Sequence, residues 1–242
     1  MPQREPIFNV PGAVLGMIAI FIVVHVARQW MPVGDANWWL IALAFIPARY
    51  SGYSADIPGG EIASFTSFIT HAFTHADATH LAINSAWLLA FGSVLCRRIG
   101  SLRFIAFTLM GGVAGACAFW IMHPGLLVPV IGASGAVAAM MGGVMRFLFA
   151  ALDRGEGFLL REAPETIPLT SLAEALTHRR ILLSSALFVG INLLAIVGFG
   201  SMGSTGTIAW EAHLGGYAFG LLAFGFFDIA THNASPSQAE IE

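Results

Sequence analysis

The amino-acid sequence predicts an all-α integral membrane protein built as a bundle of six transmembrane helices, and three observations carry that expectation. Of the 242 residues, 57% are hydrophobic and only 10% are charged, against about 25% charged in an ordinary soluble domain. Fourteen acids and eleven bases cannot clothe a soluble domain of this length in a polar shell. Six apolar runs reach the roughly 17 to 25 residues that cross a hydrocarbon core. The bases, all of them arginine, cluster in alternate connections between those runs. A net charge of −3 with no lysine leaves no footprint for nucleic acid, so the lipid bilayer is the expected surrounding.

The first run, Val10 to Ala27, follows Arg4 and is not succeeded by a small-x-small cleavage site, only by "VHVARQWMP", so it reads as a helix rather than a signal peptide. Two shorter apolar pieces, Trp38 to Ile46 and Ile62 to Phe73, are interrupted by Pro47, Pro58 and the pair Gly59, Gly60. They are expected to form a long, partly structured loop at the interface, anchored by Trp38 and Trp39. The remaining spans fall at Ala78 to Leu95, Phe104 to Ile121, Ser134 to Leu152, Ile181 to Phe199 and Thr207 to Ile229. The chain thus divides into a short N-terminus at 1–9, a membrane core at 10–230 and a polar tail at 231–242, with no internal repeat. Cys96 and Cys117 have neither disulfide nor metal spacing and read as buried small hydrophobes.

Arg97, Arg98 and Arg103 lie between spans two and three, and Arg154, Arg161, Arg179 and Arg180 between spans four and five; the other connections hold only Arg28 and Arg49. By the positive-inside rule both termini are cytoplasmic, so spans two, four and six each begin at the outer side. That topology brings the informative polar groups to one depth. Span two opens with "THLAINSAW", which puts His80 and Asn84 one turn apart on one helix face. Span four opens with Ser134 between Gly132 and Gly135, and span six opens with "EAHLGGYAFG", which contains His213. A lone Ser or Asn in a membrane helix is more often interhelical glue than chemistry, and a lone His such as His25 is ordinarily an interfacial residue. Four such groups from three helices at one depth, suited to a single reaction, outweigh that reading. Gly216 and Gly220 form a small-xxx-small face on span six, and Ala138, Ala139, Gly142 and Gly143 a thin face on span four. Close packing of these two faces would carry Ser134 towards His213.

"GASG" at Gly132 to Gly135, "HLAIN" at His80 to Asn84 and "AHLGGYAFG" from Ala212 resemble, in the same order, the motifs of the rhomboid family of intramembrane serine proteases, bacterial type. The resemblance covers about Val10 to Ile229. It implies a rhomboid-like six-helix bundle, Ser134 as nucleophile, His213 as base, and His80 and Asn84 stabilising the oxyanion. His75, in "FTHADATH", is similar to the family's second histidine, five residues ahead of the oxyanion one. The resemblance also implies a bacterial inner membrane, an active site towards the outer side, and single-span membrane proteins as substrates, cut near the outer end of their transmembrane helix. Two positions depart from the family. No Trp-Arg pair occurs between Met31 and Ala78, and the position four after the serine, often an aromatic that packs on the imidazole, is Ala138.

The residue types suit the chemistry. A serine hydroxyl is a weak nucleophile until a base takes its proton, and His213 is the candidate. Glu211 is two residues away and would face elsewhere on a helix, while Asp228 is at the far end of span six. A Ser–His dyad is therefore expected, its ring oriented by packing, water or a carbonyl. The Ser134 N–H, the Asn84 amide and His80 can donate to a tetrahedral oxyanion, and Gly132 lets the backbone turn closely beneath the substrate. Water would enter through a polar pocket lined by His75, His80, Asn84 and Ser134, under a mobile cap formed by "GFGSMGSTGT" from Gly198. No cofactor and no metal are called for: "HAFTH" at His71 to His75 lacks the Glu of a zinc protease, although His71, His75 and His80 could still gather an ion. The rival readings are a catalytically silent rhomboid-like protein that binds transmembrane helices, and a small-solute transporter, which would spread its polar groups over several depths.

Overall fold

A computed structural model describes residues 10–199 and 209–228. The segment at 1–9, residues 200–207 of the candidate cap and the tail at 231–242 lie outside the described residues, and Gly198 and Phe199 form the end of a helix rather than a loop. The described chain is helical, with one isolated antiparallel bridge between Phe45 and Val130.

Helix α1 (Gly12–Gln29) starts directly after Pro11 and lies at the edge of the bundle, with 22% of its span buried. The first connection is more ordered than the interrupted apolar pattern predicts. It contains α2 (Val33–Leu43), a 3₁₀ turn at Pro47–Ser51 and α3 (Gly60–Thr70). The prolines and glycines that appear to break it are its boundaries: α2 follows Pro32, and α3 follows Gly59 at φ +93°. A Cβ on Gly59 would sit 2.6 Å from that of Ala63 and 3.1 Å from that of Ala42, so glycine is what lets α2 and α3 meet. Arg49 is buried and its guanidinium donates to the carbonyls of Ile41 and Pro58, both at 2.7 Å, which staples the segment together.

Helix α4 (Ala78–Ile99) is capped by Asp77, whose carboxylate accepts the His80 N–H at 2.8 Å. It widens into a π turn at Leu88–Gly92 and ends at Gly100, φ +79°. The helix runs past the expected end at Leu95, so Arg97 and Arg98 belong to its last turn and not to a loop. Arg98 is buried against Asp228 at 2.6 Å, donates to the carbonyl of Ile167 at 2.8 Å and lies 4.4 Å over the Phe147 ring. Helices α5 (Ser101–Met122), α6 (Ser134–Asp153), α7 (Arg179–Phe199) and α8 (Trp210–Ala223) follow. Among the described residues four helices, α1, α4, α5 and α6, are long and apolar enough to cross a membrane.

Helix α6 is the axis of the bundle, with 72% of its span buried. It packs against α5 and α8 along faces with almost no side chains between the backbones. A Cβ on Gly216 would overlap the carbonyl oxygen of Gly135, one on Gly220 that of Ala139, and one on Gly142 that of Tyr217. Backbones this close gain dispersion contacts that larger residues would prevent. Arg146, which the loop-by-loop arginine count passes over, is buried on α6; its guanidinium donates to the carbonyls of Thr170 and Leu221. It thereby ties the connection after α6 to the end of α8.

Candidate active site

The segment entering α6 is held from two sides. Val130 exchanges backbone hydrogen bonds with Phe45 at 2.8 and 3.0 Å, and the Gly132 N–H donates to the His71 carbonyl at 2.9 Å. Gly132 then adopts φ +105°, and a Cβ there would lie 2.6 Å from His80 Nε2 and 3.7 Å from Asn84 Nδ2. Glycine is thus required twice, for the backbone angle and for room beside the imidazole. Two residues later Ser134 opens α6, where the first-turn N–H groups have no partner within the helix and the helix dipole presents its positive end.

His213 lies in the first turn of α8, and the contact of Gly216 with the Gly135 backbone sets its height against Ser134. His213 Nε2 and Ser134 Oγ are 2.7 Å apart. Both residues are half-buried, as is His80. His80 Nδ1 receives the Ala76 N–H at 3.5 Å, which leaves the ring proton on Nε2, the atom beside Gly132. Asn84 is buried and donates one amide hydrogen from Nδ2 to the His80 carbonyl at 2.9 Å, and the same Nδ2 lies 3.7 Å from where a Gly132 Cβ would be. The structure therefore brings together Ser134, His213, His80, Asn84, Gly132 and Gly135, from α4, α6 and α8.

His75 stands apart from this arrangement. It is fully buried, with its ring 5.0 Å from that of Phe21 and 5.2 Å from that of His80, and neither ring nitrogen has a hydrogen-bond partner among the described residues. Burial pushes its imidazole down to about 4. It supports His80 from behind instead of lining an open pocket. His25 is likewise buried on α1, with Nδ1 unpartnered among the described residues. His71 bonds through Nδ1 to the Ser67 carbonyl at 2.8 Å, and burial holds it, too, at about 4. Among the described residues no group of three His, Cys, Asp or Glu side chains could hold a metal ion.

Sequence reasoning missed one residue of the site. Asn192, buried on α7, places Oδ1 2.7 Å from His213 Nδ1. The expected orienting agent was packing, water or a carbonyl; the structure puts a side-chain amide there. The only signal available in the sequence was a solitary amide within the apolar run "FVGINLLA".

The family model of the rhomboid domain matches residues 63–229. The chain belongs to the rhomboid family. It is 33% identical over 91 residues to "Rhomboid protease GluP" of Bacillus subtilis, a stretch covering 38% of this chain and 17% of that protein. It is 27% identical over 112 residues to "Rhomboid-like protein 16, chloroplastic" of Arabidopsis thaliana, covering 46% of this chain and 31% of the relative. "RHOMBOID-like protein 9, chloroplastic" of the same plant is 30% identical over 112 residues, covering 46% and 24%. The matches thus span less than a third of the length of each of these relatives.

Within this rhomboid chain the two carboxylates of the last span and its flank are engaged elsewhere. Glu211 is buried and lies 2.6 Å from His123 Nε2, at the C-terminal end of α5, while Asp228 holds Arg98. Ala138 has no ring to pack on the imidazole. It sits in an apolar cluster with Tyr217 and Phe188, whose rings stack at 4.7 Å, one turn along α8 from His213.

Proposed function

We propose that this rhomboid-family chain is an intramembrane serine endopeptidase, a six-span membrane protein with both termini cytoplasmic and its site towards the outer side of a bacterial inner membrane. Its substrates are single-span membrane proteins, cut in or near the outer end of the transmembrane helix. The observation that carries this reading is the 2.7 Å contact of His213 Nε2 with Ser134 Oγ, at a helix N-terminus whose preceding glycine faces His80 and Asn84. The Ser134 hydroxyl donates its proton to His213 as Oγ attacks the substrate carbonyl carbon. The oxyanion that forms is met by the Ser134 N–H, His80 Nε2–H and the second Asn84 Nδ2 hydrogen, and one such donor is typically worth about 3 to 4 kcal/mol. His213 passes the proton to the departing amine, then takes one from the water that cleaves the acyl-enzyme. No step calls for a metal or an organic cofactor. The half-exposed Ser134, His80 and His213, near the exposed turn at Ala76 to Thr79, give that water an entrance.

Incubation of the purified chain and of Ser134→Ala with a panel of single-span substrates in detergent tests this reading. It expects fragments released by the unmodified chain only. Equal fragmentation by both proteins would refute it.

A further inference from the structure

Asn192 makes two hydrogen bonds, and together they dictate which nitrogen of His213 carries its hydrogen. Its Nδ2 lies 2.8 Å from the Phe188 carbonyl, one turn back on α7, and its Oδ1 lies 2.7 Å from His213 Nδ1. A backbone carbonyl only accepts, so the amide group facing it must be the NH₂. The other end is then an oxygen, which also only accepts, and His213 Nδ1 must carry a hydrogen. A neutral imidazole with its hydrogen on Nδ1 has its lone pair on Nε2, where the Ser134 hydroxyl needs an acceptor at 2.7 Å. The opposite tautomer would set a lone pair against the Asn192 oxygen and make Ser134 Oγ the acceptor of an Nε2–H, with no base to take its own proton.

We propose that Asn192 is the positioning residue of this site: it fixes the tautomer and ring plane of His213, so that Ser134, His213 and Asn192 act as one relay whose direction is set by the Phe188 carbonyl. This rests on the reading of Ser134 as nucleophile and His213 as base. Glu211, two residues before the base, is paired with His123, Asp228 at the far end of the span is paired with Arg98, and Ala138, four residues after the serine, has no ring to pack on the imidazole. The register of α7 on α8 is set one turn away. Ser185 Oγ and the Tyr217 hydroxyl are 2.7 Å apart, and Phe188 stacks on the Tyr217 ring. Ser185, Phe188 and Asn192 form one stripe on α7, opposite Tyr217 and His213 on α8, and the lower contacts hold Asn192 at the height of the imidazole. The relay therefore joins a fourth helix to the three that supply the reacting groups.

The test uses the full chain labelled with ¹⁵N at the histidine rings, the His213 signals being identified by their loss in His213→Gln. Wild-type His213 is expected to carry its hydrogen on Nδ1. In Asn192→Leu the hydrogen should redistribute towards Nε2, and kcat should fall about 10- to 10³-fold with KM little changed. Asn192→Asp keeps the acceptor for Nδ1 but sets its second oxygen against the Phe188 carbonyl, so it should lower the melting temperature while retaining the Nδ1 hydrogen and staying within about tenfold of wild-type kcat per folded molecule. A merely structural Asn192 would lower the melting temperature and leave both tautomer and turnover per folded molecule unmoved, which overturns the proposal. So does a wild-type His213 protonated on Nε2, a result that requires no variant to fold. If the unmodified chain cleaves no substrate, the proteolytic reading fails, while the tautomer in wild type and Asn192→Leu still decides the role of Asn192.

Discussion

Gly216→Ala isolates the close approach of α8 to α6 from the chemistry it serves. The added Cβ would overlap the Gly135 carbonyl oxygen and lie 2.9 Å from the carbonyl carbon and 3.3 Å from Cα. All three are backbone atoms of α6, so no rotamer change relieves the clash, and the helices must part by on the order of 1 Å. Overpacking of this kind costs about 1 to 3 kcal/mol. The same movement stretches the 2.7 Å contact between Ser134 and His213 towards the limit of hydrogen bonding, and a misplacement of about 1 Å can cost about 10²-fold in rate. Gly220→Ala meets the Ala139 carbonyl in the same way, one turn farther from His213, and should lower stability similarly while lowering turnover less. Gly16→Ala on α1, with nothing within 4 Å of its Cβ, is the control and should leave stability equal or slightly raised. Melting temperature and turnover, measured on one detergent preparation of each variant, decide the matter. A Gly216→Ala protein that melts and turns over like Gly16→Ala would refute the close-packing argument.

Ser134→Ala and His213→Ala should each remove nearly all cleavage, with the double variant scarcely worse, because groups acting as one unit are not additive; initial rates on one substrate check this. Asn84→Ala should lower turnover about 10- to 10³-fold with substrate affinity largely kept, whereas a residue serving only as helix glue would show a lowered melting temperature and normal turnover per folded molecule. Asp77→Ala should cost about 1 kcal/mol by uncapping α4, and Asp77→Asn much less. The hydrogen bond from the His80 N–H holds the Asp77 carboxyl below its ordinary value of 3.8. The cap's contribution is therefore full above that value and is lost as pH falls through the lower folded-state value, so the melting temperatures of wild type and Asp77→Ala should converge in acid.

The parts of the site that were legible in the sequence are those fixed by depth. Ser134, His80 and His213 lie in the first turn of their helices and Asn84 one turn after His80, and an apolar run with a polar residue near its start announces its own level along the helix. The Gly216 and Gly220 face was legible for a related reason, since small residues at helical spacing can serve only a close neighbour. Asn192 was not legible, because its meaning lies in a contact between α7 and α8, and a single sequence shows the level and face of a side chain but not which helix stands opposite. Arg146 and Arg98 were obscured by the counting of arginines as loop charges, whereas burial beside carbonyls or Asp228 gives them partners inside the bundle. The first connection looked broken because Pro32, Pro47 and Gly59 mark boundaries of short helices, and the staple that orders it, Arg49, acts through backbone carbonyls that carry no sequence signature.

The central claim is that Ser134 is a nucleophile made reactive by His213. Its most direct test is treatment of the folded chain with a fluorophosphonate probe, followed by mapping of the adduct by peptide mass spectrometry. The account predicts one adduct, on Ser134, lost in His213→Ala while Ser185 and the other serines stay unlabelled. An unlabelled Ser134 in folded protein, or labelling that persists at full rate without His213, would contradict it.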